Sequence, residues 1–198
     1  MSARGASARL FVAVDPPAQV RDSLASWAKS AARGLRILDA ELLHVTVCFL
    51  GERPLQELDA IADELSRCAR PAVELSLGAP LWLPPRRPRA LAVELHDRDG
   101  TLAKIHAELL DRLHLGAHWQ QSGSRASGSS RSDGRAGRHR FRPHVTVARM
   151  RPEEAPRDRA LPPTPAQTFS AVELVLYRSW LSPEGASYER LSACPLGE

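Results

Sequence analysis

The chain has 198 residues, of which 43% are hydrophobic and 25% charged, a composition that fits one folded domain and excludes a disordered chain. No apolar run reaches the ~20 residues that cross a bilayer, and residues 1–9 lack the apolar stretch of a signal peptide, so we expect a cytoplasmic protein without a membrane partner. Three widely spaced cysteines exclude a disulfide framework and the usual zinc sites, while the net charge of +4 raises the question of nucleic-acid binding.

Apolar and β-branched runs predict strands, and apolar residues at helical spacing predict the helices between them. In chain order these are a strand over 9–14, a helix carrying Val20 to Ala31, a strand over 42–50 ended by Gly51, a helix over 55–68, a strand over 73–77, a proline-rich loop over 82–88, a strand over 90–95, a helix over 101–115, and strands over 141–149, 171–180 and 188–194. The order predicts an α+β domain with two similar halves, each holding antiparallel strands and helices.

Two segments are predicted to be loops. Residues 120–140 consist mainly of Ser, Gly and Arg, and such a segment cannot bury enough apolar surface to offset its ordering entropy. Because a strand pattern resumes directly after it, we predict a flexible loop inside a single domain that spans 1–198. A second, proline-rich loop is predicted over 152–165.

The string His-Val-Thr-Val occurs twice, at 44–47 and at 144–147, each time in a predicted strand. One His-x-Thr on a strand is more often structural than catalytic, but an identical second copy favours a functional role. Because side chains alternate along a strand, His44 and Thr46 share one face about 7 Å apart, and the valines point to the other. If the two halves pack as pseudo-symmetric repeats, the two imidazoles flank a central groove.

Two histidines and two threonines suit in-line displacement at phosphorus. One imidazole takes a proton from the attacking water, and the other gives a proton to the leaving oxygen. The hydroxyls of Thr46 and Thr146 donate hydrogen bonds to the phosphate oxygens. This scheme needs no metal or other cofactor, and the sequence has no metal motif apart from His114 and His118, four residues apart at a predicted helix end, where we favour a surface role.

Arginines and phenylalanines near the motifs are candidate substrate ligands. Arg142 and Arg149 bracket the second motif, and guanidinium groups bind phosphate in a bidentate manner. Arg149 lies five residues after His144, so strict alternation turns it away and a bulge or twist is needed to bring it round. Phe11 and Phe49 offer rings for base stacking, although at least one of them is expected to pack in the core.

The chain resembles the two-histidine (2H) phosphoesterases, in particular the bacterial and archaeal RNA 2′,3′-cyclic phosphodiesterases, also called 2′-5′ RNA ligases. The resemblance rests on the segments 9–15, 43–52, 141–149, 176–179 and 188–189. Two positions depart from the family pattern: Leu42 stands where an Asn is frequent, and Ala92 where a large aromatic residue is frequent.

The resemblance implies a bilobal α+β fold with a central active-site cleft. It implies metal-independent hydrolysis of a 2′,3′-cyclic phosphate at an RNA end to a 2′-phosphate, with a related 2′-5′ ligase activity. His44 would be the proton donor, His144 the proton acceptor, and Thr46, Thr146 and Arg149 would hold the phosphate. The expected partner is therefore RNA with a cyclic end or a small cyclic nucleotide, bound by a monomer.

Two alternatives stay open at this stage. One is a module that binds phosphorylated RNA ends without turnover, although arginine or lysine would then serve without two histidines. The other keeps the chemistry and changes the substrate, for example to another cyclic nucleotide or an ADP-ribose cyclic phosphate.

The net charge is not spread over the chain. Five arginines and one aspartate lie in 121–140, which leaves 22 basic and 22 acidic residues elsewhere. The sequence therefore predicts a formally neutral body, local arginines at a small phosphate site, and a basic loop that helps to gather RNA.

Overall fold

The sheet and three helices follow the predicted pattern of apolar runs and amphipathic segments. The structure is a computed structural model that describes residues 6–32, 34–70, 72–113, 141–151, 156, 160–182 and 185–197. Its strands are β1 Ser7–Val14, β2 Arg36–Ile37, β3 Val45–Pro54, β4 Val73–Leu83, β5 Ala90–Asp97, β6 His144–Arg149, β7 Thr168–Ala171, β8 Glu173–Ser182 and β9 Gly185–Pro195. The helices are α1 Ala18–Ala31, α2 Leu58–Cys68 and α3 Thr101–Arg112, with 3₁₀ turns at Ala40–Leu42 and Leu55–Glu57.

The structure differs from the prediction at several boundaries and adds two short strands. Gly51 does not end β3: it adopts φ 73° next to a β-bulge, so it redirects a strand that continues for three more residues. Trp82 and Leu83 belong to β4 rather than to the proline-rich loop, because they pair with β5. The short strands β2 and β7 were not predicted, since two to four residues carry no readable periodicity.

All paired strands are antiparallel, in the order β7-β4-β5-β6-β3-β1-β8-β9, with β2 beside β6. Two four-stranded lobes meet where β3 lies against β6, and the prediction of two similar halves is confirmed. The halves of the fold are not the halves of the sequence, however. The β3 lobe takes β8 and β9 from the end of the chain, and the β6 lobe takes β4 from its middle.

The core lies on the face of the sheet that the helices cover. It includes Val45, Val47, Val145 and Val147, none more than 1% exposed, together with the apolar faces of the three helices. The motif valines therefore anchor the two strands, and the alternate positions are turned to the opposite face. Among the described residues, no helix is both long and apolar enough to cross a membrane.

Several predictions fall on other parts of the chain. The flexible loop predicted at 120–140 lies outside the described residues, as do His114, His118, His139 and most of 152–159.

Candidate active site

The two motif strands are neighbours in the sheet, joined in antiparallel register through Val45 and Val145. The histidine and the threonine of each motif flank this one pair, His44 and Thr46 on one strand and His144 and Thr146 on the other. Both histidines and both threonines are half-buried, so they form one partly exposed group at the junction of the lobes.

The two imidazoles are held in the same way. Nδ1 of His44 donates to the carbonyl of Leu42 at 2.8 Å, and Nδ1 of His144 donates to the carbonyl of Arg142 at 2.8 Å. Because a carbonyl only accepts, each bond places the proton of the neutral ring on Nδ1. Nε2 is thus the nitrogen that exchanges a proton with a substrate.

Burial lowers the pKa of His44 below its ordinary value, because desolvation disfavours the imidazolium. The bond to the Leu42 carbonyl and the charge of Asp15 oppose this shift, whereas the charges of Arg149 and His144 add to it. Both Arg149 and His144 lie on β6, the strand that pairs with β3 at Val45 and Val145.

A β-bulge follows each motif at the equivalent residue. Along β1, Val12 pairs with Cys48 and Ala13 with Thr46, so Val47 is the extra residue of β3. Along β5, Leu91 pairs with Ala148 and Ala92 with Thr146, so Val147 is the extra residue of β6. Each bulge shifts the alternation by one residue, since Val47 and Cys48, like Val147 and Ala148, are consecutive buried residues.

These bulges place Phe49 and Arg149 on the face that carries the histidines. Both side chains are exposed, Phe49 at 46%. The bulge that was predicted to bring Arg149 to this face is therefore the one at Val147. Phe49 and Arg149 occupy equivalent positions, five residues after each histidine, so one lobe offers a ring where the other offers a guanidinium.

The backbone carbonyl of each bulged valine accepts a hydrogen bond from a residue outside the two strands that form the bulge. The Val147 carbonyl accepts from the backbone N–H of Leu38 at 2.9 Å. The Val47 carbonyl accepts from Nδ1 of His106 at 2.7 Å, and this buried ring stacks on Phe141 with centroids 4.3 Å apart. His106 therefore links α3 to β3 and to the segment just before β6, a role that sequence reasoning missed because no spacing relates it to the motifs.

An aromatic cluster surrounds His44. The rings of Phe11 and Tyr188 lie 4.9 and 5.1 Å from the imidazole, and Tyr177 stacks on Phe11 at 5.2 Å. Phe11 is only 3% exposed and packs beneath the site, whereas Phe49, 6.2 Å from it, presents its ring to solvent. The tyrosines were not predicted as site residues, because they arrive on β8 and β9, far along the chain from the first motif.

A carboxylate accompanies each histidine. Asp15 follows β1 opposite His44, and its Oδ2 accepts from the hydroxyl of Tyr177 at 2.5 Å. Burial, together with this bond to Asp15, raises the pKa of Tyr177, so the phenol stays protonated. Glu94 pairs with His144 in register and accepts from Nε of Arg142 at 2.7 Å.

Arg142 is thus already engaged at the rim of the site. Its hydrogen bond to Glu94 lowers the pKa of that carboxylate and raises its own. Arg149, by contrast, makes no ion pair within the described residues. The same part of the chain holds no group of three or more His, Cys, Asp or Glu side chains arranged to bind a metal.

The sequence matches a known family. Residues 12–179 match the model of the 2′-5′ RNA ligase superfamily. An RNA 2′,3′-cyclic phosphodiesterase of Thermus thermophilus is 32% identical over 186 residues, which cover 91% of this chain and 86% of that protein. One of Archaeoglobus fulgidus, with the same description, is 25% identical over 189 residues, covering 92% and 97%.

Solved structures share the fold. TT0787 of Thermus thermophilus has a TM-score of 0.75 at 27% identity, over 95% of this chain and 97% of that one. Escherichia coli LigT complexed with 3′-AMP also has a TM-score of 0.75, at 23% identity over 98% and 100% of the two chains. The predicted bilobal α+β fold is thereby confirmed.

Proposed function

Because the chain belongs to the 2′-5′ RNA ligase superfamily, we propose that it is a 2′,3′-cyclic phosphodiesterase that acts on RNA ends. The names of its relatives support this reaction. The observation that carries it is the paired motif: two imidazoles, each fixed through Nδ1, on strands that pair with each other at Val45 and Val145.

The proposed reaction is an in-line displacement. His144 accepts a proton from water through Nε2 while the water oxygen attacks phosphorus. The bond from phosphorus to the 3′-oxygen breaks, and His44 donates a proton to that oxygen, leaving a 2′-phosphomonoester and a 3′-hydroxyl. A 5′-hydroxyl in place of water would form a 2′-5′ linkage by the same steps.

The remaining groups hold the phosphate. Hydroxyls of Thr46 and Thr146 donate to its non-bridging oxygens, and Arg149 neutralises its charge. The pentavalent transition state carries more negative charge on these oxygens than the ground state, so such donors lower the barrier. No step of this scheme requires a metal ion.

The asymmetry around the symmetric centre supports a nucleotide as substrate. The β3 lobe supplies rings, with Phe49 exposed for stacking on a base, and the β6 lobe supplies Arg149 for the phosphate. A cyclic phosphate without a base would leave the exposed ring of Phe49 with no group on which to stack.

The test is hydrolysis of a nucleoside 2′,3′-cyclic phosphate in excess EDTA, with identification of the product. We expect a 2′-phosphate and undiminished activity on chelation. The variants H44A and H144A should each lose about 10²–10⁴-fold in kcat, the usual contribution of a general acid or base.

The exposed His96 provides the matched control, and H96A should retain wild-type activity. Full activity in H44A or H144A would exclude the two-histidine mechanism, and loss on chelation would indicate a metal route. A 3′-phosphate product would show that the 2′-oxygen is the leaving group instead of the 3′-oxygen. Tight binding of phosphorylated RNA ends without turnover would favour the non-catalytic module, and preferred turnover of another cyclic nucleotide would change the substrate.

A further inference from the structure

Six exposed arginines from three segments meet where β5 begins and β6 ends. Arg149, at the end of β6, pairs in register with Arg36 of β2 on one side and with Ala90 of β5 on the other. The loop before Ala90 and the residues after Arg149 complete the set. We name this set the arginine surface: Arg36, Arg86, Arg87, Arg89, Arg149 and Arg151.

Hydrogen bonds fix the loop between β4 and β5 to the end of β6. The backbone N–H of Met150 donates to the carbonyl of Arg89 at 2.9 Å, and Nη1 of Arg89 donates to the carbonyl of Arg151 at 3.4 Å. The three segments therefore form one continuous surface rather than separate loops.

The loop itself is stiff. Pro84 and Pro85 precede Arg86 and Arg87, and the buried Pro88 follows them. Proline fixes φ, and the backbone N–H of Arg89 closes the loop by donating to the Leu83 carbonyl at 2.7 Å. Two exposed guanidinium groups are thus held ready for a ligand, which lowers the entropy lost on binding.

Six other arginines of the described residues form ion pairs with carboxylates. The ion pairs are Arg53–Glu57, Arg67–Glu64, Arg70–Glu108, Arg112–Glu64, Arg112–Glu108, Arg142–Glu94 and Arg190–Glu173. Within the described residues, Arg86, Arg87 and Arg149 make no ion pair. Glu153 and Glu154 follow in the sequence and lie outside those residues.

The arginine surface is continuous with the catalytic cleft. Burial lowers the pKa of His44, and the charge of Arg149 adds to that shift. Burial raises the pKa of Tyr188, and Arg149 opposes that rise. The guanidinium of Arg36 also lies against the backbone of Gly185, at the start of β9, so the surface meets the β3 lobe as well.

We propose that the arginine surface binds the sugar–phosphate backbone of a single RNA strand whose cyclic-phosphate end occupies the cleft. The proposal rests on the proposed function and extends it from a terminal nucleotide to an oligonucleotide. Guanidinium groups pair with successive phosphates without reading sequence. A lipid surface fits less well, because the exposed large apolar side chains Phe49, Val172, Trp180 and Leu181 all lie outside the β4–β5 loop, which leaves that loop without an apolar anchor.

The test compares two substrates that share one cyclic end: a nucleoside 2′,3′-cyclic phosphate and a 12-nucleotide RNA. For the variant R86Q/R87Q we expect kcat/KM to fall about tenfold on the 12-mer and to stay within twofold on the mononucleotide. The slope of log(kcat/KM) against log salt concentration on the 12-mer should become shallower by about 0.7 for each phosphate that the variant no longer binds.

R98Q is the matched control, since Arg98 is an exposed arginine just beyond the opposite end of β5, without an ion pair among the described residues. Equal losses on both substrates, no loss on the 12-mer, or the same loss in R98Q would overturn the proposal.

Direct binding separates this proposal from the proposed function. Fluorescence anisotropy with a labelled 12-nucleotide RNA that lacks the cyclic end needs no turnover, and we expect R86Q/R87Q to weaken the complex with the same loss of salt dependence. A variant that binds this RNA like wild type but loses affinity for vesicles of anionic phospholipid would replace RNA by a membrane.

Discussion

His44 lies between charges of opposite effect. Burial lowers its pKa and the hydrogen bond to the Leu42 carbonyl raises it; among the charged side chains, Asp15 raises this pKa and Arg149 lowers it. Neither residue bonds to the ring, so each can be changed without removing the imidazole. This arrangement provides a way to assign the acid and the base by experiment.

We expect the variants D15N and R149Q to move one limb of the pH profile in opposite directions. A proton donor must be protonated, so kcat/KM falls as the pH rises through the pKa of His44. D15N lowers that pKa and moves the alkaline limb to lower pH, while R149Q raises it and moves the same limb to higher pH. R149Q should also lose about 10–100-fold in kcat/KM, as a charged hydrogen bond to the phosphate is lost.

The measurement is kcat/KM on a cyclic mononucleotide over the full pH range. Displacement of the acidic limb instead would make His44 the base and His144 the acid. Shifts of the same sign in both variants would show that neither charge acts through the histidine.

At the scale of the elements, two bulges determine what faces the cleft. Without the extra residues Val47 and Val147, Phe49 and Arg149 would point into the core, and the site would have histidines and threonines alone. Each bulge carbonyl is bonded, one by a backbone N–H and the other by the ring of His106. His106 is thus a positioning residue for the first motif rather than part of the chemistry.

Removal of this donor should affect both stability and turnover. H106L leaves the Val47 carbonyl without the Nδ1 bond, which costs about 1–3 kcal/mol in the free energy of unfolding. We expect kcat to fall about tenfold in the folded variant, with a smaller change in KM. H106N keeps a donor amide near the position of Nδ1 and should restore most of kcat, although it loses the stacking on Phe141.

Urea unfolding and steady-state kinetics check both effects. A folded H106L with wild-type kcat would show that the bulge is held without His106, and an H106N as poor as H106L would point to the ring instead of the hydrogen bond.

The strands that carry the motifs were predictable because β-branched, apolar residues flank both histidines. The need for a bulge before Arg149 was also visible, since five residues is an odd number of steps. The position of that bulge was not visible, because it depends on pairing with β5 and on the N–H of Leu38, which are both distant in the chain. Tyr177 and Tyr188 were not predicted as site residues for the same reason, because the order of strands in a sheet depends on pairing between segments that are far apart in the chain.

For the whole molecule, the net charge of +4 hides an uneven distribution of charged residues. The predicted body is neutral by count, yet ion pairs neutralise one region while Arg86, Arg87 and Arg149 gather in another. The sequence alone favoured the loop at 120–140 as the basic element, because its arginines are close together in the chain. Spatial clustering of arginines from distant segments becomes visible only in the fold.

Deletion of residues 121–140 should weaken the binding of long RNA, because it removes five arginines and one aspartate. We expect a loss that grows as salt is lowered, with hydrolysis of a cyclic mononucleotide spared. Binding isotherms for a 12-mer at several salt concentrations, beside mononucleotide kinetics, provide the measurement. Equal losses on both substrates would mean that the segment belongs to the catalytic site.

The order of the strands has a consequence for synthesis on the ribosome. β1, which is synthesised long before β8, pairs with β3 on one side and with β8 on the other, and the ring of Tyr188 completes the surroundings of His44. A nascent chain that lacks β8 and β9 has both motifs, but one edge of β1 is unpaired and His44 lacks its contact with Tyr188. The first histidine therefore gains its final environment only after β8 and β9 have been synthesised.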